Sequence, residues 1–205
     1  MDIAGEFLGI PTGNICDMMD NREGAMDEAM KPLHHSFRLA GRALTVECFP
    51  GDNLTIHKAI TVAKPGDVLV IDCKGYMKAG VFGEIFASSC RKRGIAGAVI
   101  NGCCRDKHDL IEMNFPVFAL GVNPNGTVKE RLGKINEPVL ICGRMVRACD
   151  IIVGDADGVI VIPSENAEEI LKKSTVKKEK EAEWLRLIEE KNLTTADLLN
   201  LYEKF

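Results

Sequence analysis

Between Arg38 and Pro163 the hydrophobic positions fall into short, near-continuous runs that alternate with stretches of helical spacing. The runs predict strands at Ala43 to Cys48, Val68 to Asp72, Ala98 to Asn101, Val117 to Leu120, Val139 to Cys142, Ile151 to Gly154 and Val159 to Ile162. Several consist almost wholly of Val, Ile and Leu, as strands covered on both faces do. Asn53 to Ala63 and Phe82 to Arg93 carry apolar residues at helical spacing and stop near Pro65 and Gly94. Lys64-Pro65-Gly66-Asp67 reads as a tight turn into the next strand. This rhythm predicts an α/β fold.

After Pro163 the pattern changes. Ser164 is a candidate N-cap for a long helix, rich in Glu and Lys, that reaches Lys191. Thr194 or Thr195 caps a last short helix through Leu198, Leu199 and Tyr202. Trp184, Leu185, Leu187 and Ile188 form an apolar stripe that must lie on something, either its own domain or a neighbouring subunit. Residues 1–163 therefore read as one α/β domain and residues 164–205 as its helical C-terminal arm.

Composition narrows the function. The chain has 205 residues, 46% of them apolar and 27% charged, which describes a soluble globular domain with its own core. A formal charge of −4 and the lack of a basic block argue against a nucleic-acid partner. No apolar run approaches the roughly 20 residues of a bilayer span, and the opening MDIAGEFLGIPTG does not read as a signal peptide. A cytoplasmic protein without a membrane partner is expected. The eight cysteines contain no C-x-x-C pair, so they read as buried small hydrophobes and not as a zinc site. No glycine-rich nucleotide loop, G-x-S-x-G elbow or H-E-x-x-H pair is present.

Three clusters carry candidate chemistry. Glu84 stands at a helix start, and Arg105-Asp106 follows the next strand after twenty intervening residues. One helix, a turn and a strand can bring both ends to the carboxyl edge of the sheet, where open α/β sheets bind ligands. Two carboxylates and a guanidinium there suit a hard divalent cation and an anionic substrate. A structural account of the same residues is a helix cap, a surface ion pair and a dipole-favoured glutamate. In PGDNLTIHKAI, Asp52 or Asn53 can cap a helix whose one face carries Asn53 and His57, a pair able to hydrogen-bond a substrate or simply to sit at the surface. Asp155-Ala156-Asp157-Gly158 reads as a hairpin turn.

Together these stretches resemble the family of 4-hydroxy-4-methyl-2-oxoglutarate aldolases and the related regulators of ribonuclease activity A. The resemblance is carried by RLAGRALTV, GDNLTIHKAI, KPGDVLVID, GEIFASSCRKRGIAGAVINGCCRD, CDIIVGDADGVIVIP and KKEKEAEWLRLIEE. It implies a swivelling β/β/α three-layer domain that assembles as a homotrimer or a dimer of trimers. It also implies a carbon–carbon lyase: a class II pyruvate aldolase dependent on Mg²⁺ or Mn²⁺ that cleaves 4-hydroxy-2-oxo acids and decarboxylates oxaloacetate. In that family Asp106 would bind the metal directly and Glu84 through its waters. Arg105 and the backbone N–H groups of Ile85 and Phe86 would hold the pyruvate part of a small 2-oxo acid, and Asn53 and His57 would face the distal part. A glutamate from an adjacent subunit's C-terminal helix would complete the site, matched best by Glu181, with Glu179 and Glu183 close by. The alternative within the resemblance is a non-catalytic regulator of an RNA-processing enzyme.

Overall fold

Strand and helix alternate from Leu39 to Val122, and that alternation builds a parallel sheet. The computed structural model describes residues 3–20 and 23–204. Two short helices, α1 (Ile3–Glu6) and α2 (Thr12–Cys16), and a two-residue strand, β1 (Lys31–Pro32), come first. Then follow β2 (Leu39–Glu47), α3 (Leu54–Val62), β3 (Asp67–Gly80), α4 (Glu84–Lys92), β4 (Gly97–Cys104), α5 (Lys107–Glu112) and β5 (Val117–Val122). β6 (Val139–Ile141) pairs with β7 (Arg144–Val146), and β8 (Ile151–Gly154) with β9 (Val159–Ile162). Helices α6 (Ala167–Lys191) and α7 (Thr195–Leu199) complete the order.

The main sheet runs β1-β5-β4-β3-β2-β8-β9, with β2 to β5 parallel and the flanking pairings antiparallel. Successive residues of a strand face opposite sides, which explains the continuous apolar runs. Leu69 and Ile71 meet Ile56, Ala59 and Ile60 of α3 and Cys90 of α4, whereas Val68 and Val70 meet Val139, Ile141 and Val146 of the small hairpin. The result is helices on one face and a second, two-stranded sheet on the other, a three-layer β/β/α arrangement. β8 and β9 are buried throughout. Their outer residues Ile151, Val153, Ile160 and Ile162 pack on Phe7, Ile15, Ala167 and Ile170, the Val, Ile and Phe side chains each contributing about 1.5–3 kcal/mol on full burial.

Several details differ from the pattern-based expectation. β3 continues to Gly80 because Lys74 (φ 57°) and Gly75 (φ 68°) form a bulge after which Tyr76 pairs again with β4. A 3-10 turn over Ser164–Asn166 precedes α6, so Asn166 and not Ser164 is its N-cap. Thr194 caps α7 through a capping box with Asp197. Only Ala167, Ile170 and Ser174 of α6 are buried; farther on, Leu185 is exposed and Trp184 is half-buried beneath the Lys180 ammonium. The helix thus packs on its own domain at its start, and no residue of the stripe Trp184, Leu185, Leu187 and Ile188 is buried.

The turn of residues 155–158 joins β8 to β9, with the Asp155 N–H donating to the Gly158 carbonyl. The buried Asp155 carboxylate also accepts the N–H and hydroxyl of Thr12, at 2.9 and 2.8 Å, and so fastens α2 to the hairpin. All eight cysteines are free, and five are buried; burial pushes the Cys90 and Cys104 thiols up to about 12. Among the described residues no helix is long and apolar enough to cross a membrane.

Candidate active site

At the carboxyl ends of β3 and β4 the chain turns into α4 and α5, and the start of α3 lies beside them. The sequence leaves the cap of α3 open between Asp52 and Asn53; Asn53 holds the N-cap position without a side-chain cap bond, and the Asp52 carboxylate supplies the acceptor. Its Oδ1 accepts the Leu54 N–H at 2.9 Å, while Oδ2 accepts those of Glu130 and Arg131 at 2.9 and 2.8 Å. Burial works to raise its pKa, but the three N–H donors outweigh burial and hold the carboxyl below its usual range. Asp52 therefore ties the 128–131 segment to α3.

Asn53 is thereby free for another task. Its amide donates to the Val81 carbonyl at 3.2 Å, and its buried Oδ1 has no partner among the described residues. One turn on, the His57 ring lies 4.5 Å from that of Phe86. Burial, and secondarily the Lys129 charge, lowers the His57 pKa and favours the neutral imidazole.

Across the cleft, Gly83 occupies the N-cap of α4. A Cβ there would collide with Asp106 Oδ2, so only glycine leaves room for that carboxylate where it stands. Asp106 Oδ2 accepts the Glu84 N–H at 3.1 Å and lies 3.5 Å from Arg105 Nε. Asp106 also stands at the N-cap position of α5, in the left-handed region at φ 53°, yet its side chain does not cap that helix. The N–H groups of Ile85 and Phe86, in the first turn of α4, have no acceptor within the helix and add the positive end of its dipole.

These groups share one cavity of about 200 Å³. Asn53, His57, Ile85, Phe86, Arg105 and Asp106 all line it. The Glu84 side chain is exposed and does not, although both its chain neighbours do. Glu181 lies elsewhere in the chain, bonded to Asn14 and to Lys177 at 2.7 Å; the Lys177 ammonium holds its carboxyl below the usual range. Among the described residues no three His, Cys, Asp or Glu side chains gather as a metal cage. The donor set suits a hard cation that keeps most of its waters and takes one or two carboxylates: Asp106, whose Oδ1 accepts no hydrogen bond among the described residues, and Glu84.

Residues 12–161 match the RraA-like family, described as Aldolase/RraA. The chain belongs to that family. A relative from Halalkalibacterium halodurans, named "putative 4-hydroxy-4-methyl-2-oxoglutarate aldolase", is 38% identical over 177 residues, covering 86% of this chain and 84% of its own. The RNA-processing inhibitor RraA from Thermus thermophilis superposes with a TM-score of 0.68 at 28% identity, over 75% of this chain and 92% of that one. An uncharacterized protein from Pseudomonas syringae pv. tomato shares the fold, with a TM-score of 0.86 at 24% identity over 98% of this chain and 93% of that one.

Pattern reading of this RraA-like chain overlooked one part of the cavity wall. Gly126, Thr127 and Lys129 also line the cavity. NPNGTVKE carries no motif, and bonds to distant residues bring it to the site: the Val128 N–H donates to the Gly51 carbonyl, the Asn53 N–H to the Val128 carbonyl, and the Glu130 and Arg131 N–H groups to the Asp52 carboxylate.

Proposed function

We propose that this protein is a divalent-metal-dependent class II pyruvate aldolase that cleaves 4-hydroxy-2-oxo acids, such as 4-hydroxy-4-methyl-2-oxoglutarate, and also decarboxylates oxaloacetate. The observation that carries the reading is the meeting of the Arg105 guanidinium, the Asp106 carboxylate and the free amides of α4 in one cavity with Asn53 and His57. Homologues named as aldolases of this type support it.

Asp106 and Glu84 would hold Mg²⁺ or Mn²⁺, which when bound supplies Lewis-acid polarisation of the substrate's keto group. Arg105 is always charged and presents a planar fork to a carboxylate or a developing oxyanion. The amides of Ile85 and Phe86 take the substrate carboxylate at the positive end of α4. Asn53 and His57 orient the distal part, the buried Asn53 Oδ1 being ready to accept a hydroxyl proton in a hydrogen bond.

Breaking the C3–C4 bond of the aldol, or losing CO₂ from oxaloacetate, leaves the same electron pair on the pyruvate fragment. Arg105 stabilises the negative charge as it builds on the keto oxygen in either case, so one site serves both reactions. The aldol cleavage also needs a base for the C4 hydroxyl proton. In a trimer or dimer of trimers, Glu181 from the C-terminal helix of an adjacent copy is our candidate.

The test is pyruvate release from oxaloacetate. It should exceed the background of metal alone, vanish with EDTA, and fall on Asp106→Asn substitution; no release above that background contradicts the proposal. Likeness to the Thermus thermophilis RNA-processing inhibitor favours a second reading, a non-catalytic regulator of an RNA-processing enzyme. That reading expects no metal-dependent turnover.

A further inference from the structure

The Glu181 carboxylate is held from two elements. Its Oε1 lies 2.7 Å from the Lys177 ammonium one helical turn earlier, and that ammonium lies 3.1 Å from the carboxylate of Asp17 at the C-cap of α2. Its Oε2 accepts the side-chain amide of Asn14, a buried residue of α2. Both oxygens are engaged, yet the side chain is still 37% exposed. It borders a groove of about 590 Å³ whose apolar wall is Met18, Val176 and Trp184.

The other ion pairs of α6 differ in kind. Glu169 with Lys173, and Arg186 with Glu183 and Glu190, join side chains that are 50–68% exposed, and pairs so open to water fix little. Lys177 is 22% exposed and stands between two carboxylates, one on its own helix and one on α2. The two oxygens of Glu181 are also unequal. Oε1 faces a full positive charge and Oε2 an amide dipole, so Oε2 is the oxygen that can exchange its donor while Oε1 stays bound.

We infer that Lys177, braced by Asp17, is a positioning residue for aldol cleavage: it fixes Glu181 through Oε1, so that Oε2 can give up Asn14 and take the substrate's hydroxyl proton in the cavity of an adjacent copy. The inference rests on the reading of Glu181 as the base given under the proposed function. In that step the C4 hydroxyl proton passes to Oε2 and the C3–C4 bond breaks. The electron pair stays on the pyruvate fragment, whose C3 takes up a proton before release. Loss of CO₂ from oxaloacetate has no hydroxyl proton to remove, so Lys177 serves one of the two reactions and not the other.

The full chain is compared as wild type, Lys177→Met, Lys177→Arg and Asp17→Asn, in Mg²⁺, on 4-hydroxy-4-methyl-2-oxoglutarate and on oxaloacetate. Lys177→Met removes the charge and keeps an unbranched side chain on a partly exposed helix face. It should lower kcat for aldol cleavage about tenfold or more relative to kcat for decarboxylation, with KM for the aldol within about twofold of wild type. Lys177→Arg should recover most of that loss, and Asp17→Asn should show it in weaker form. An equal fall in both reactions, a change confined to KM, or an arginine variant as slow as the methionine one would overturn the inference. So would dissociation of Lys177→Met into smaller species by size-exclusion chromatography, which would make Lys177 an assembly residue. A wild-type protein that released pyruvate from neither substrate would instead overturn the aldolase reading, leaving Lys177 no step to serve.

Discussion

Gly83 lacks a side chain, and the vacant Cβ position is what lets the Asp106 carboxylate reach the first turn of α4. Its backbone is extended, so alanine is conformationally allowed there and the effect of Gly83→Ala is purely one of space. That variant should displace Asp106 and lower metal-dependent turnover about 10²-fold while its thermal midpoint stays near wild type; full activity would show that the Asp106 position is not needed. Asp52 is the second decisive residue. Its pKa is depressed in the fold, so the stability it contributes is present above the unfolded value, about 3.9, and is lost as pH falls through the lower folded value. Asp52→Asn, with one acceptor oxygen in place of two, should destabilise the chain by about 2–3 kcal/mol and flatten the loss of stability below about pH 4. Urea titrations across that range are the check, and an unchanged acid profile would remove Asp52 from the account.

At the scale of the element, legibility followed local signals. β8 and β9 were readable to the residue because Asp155-Ala156-Asp157-Gly158 marks both inner ends and every strand residue is apolar. The second half of β3, CKGYMKAG, carries no such pattern, since its bulge at Lys74-Gly75 interrupts the alternation. β1 is two residues long and includes a proline, as an edge strand can, while α1 and α2 exist through packing on β8 and β9 and not through helix-forming spacing. The site divides in the same way. Arg105-Asp106 and Asn53-His57 are visible as pairs, but their meeting depends on the sheet, and Lys129 reaches the cavity through bonds that tie Val128, Glu130 and Arg131 to the sequence-distant residues 51–53. The link between α2 and the β8–β9 turn gives an element-scale prediction. Asp155→Ala leaves the buried Thr12 hydroxyl and amide without their acceptor and should lower stability by about 2–3 kcal/mol in urea unfolding; a variant as stable as wild type would show that Thr12 finds another partner.

For the molecule as a whole, three layers place one cavity at the carboxyl edge of a parallel sheet, where open α/β folds bind ligands. Beyond Ser174, α6 leaves Val176 and Leu185 exposed but stays tied to α2 by the Asn14–Glu181 and Asp17–Lys177 contacts, so Glu181 would exchange its bond to Asn14 on reaching a neighbouring copy in the assembly we propose. The central claim, however, belongs to Arg105, whose guanidinium is asked to stabilise charge in both reactions. Its most direct test is the rate of pyruvate release from oxaloacetate by Arg105→Ala, measured in Mg²⁺ against wild type and against Mg²⁺ alone. The account predicts a loss of about 10²–10³-fold with the fold intact by circular dichroism; a variant that turns over at the wild-type rate would contradict it.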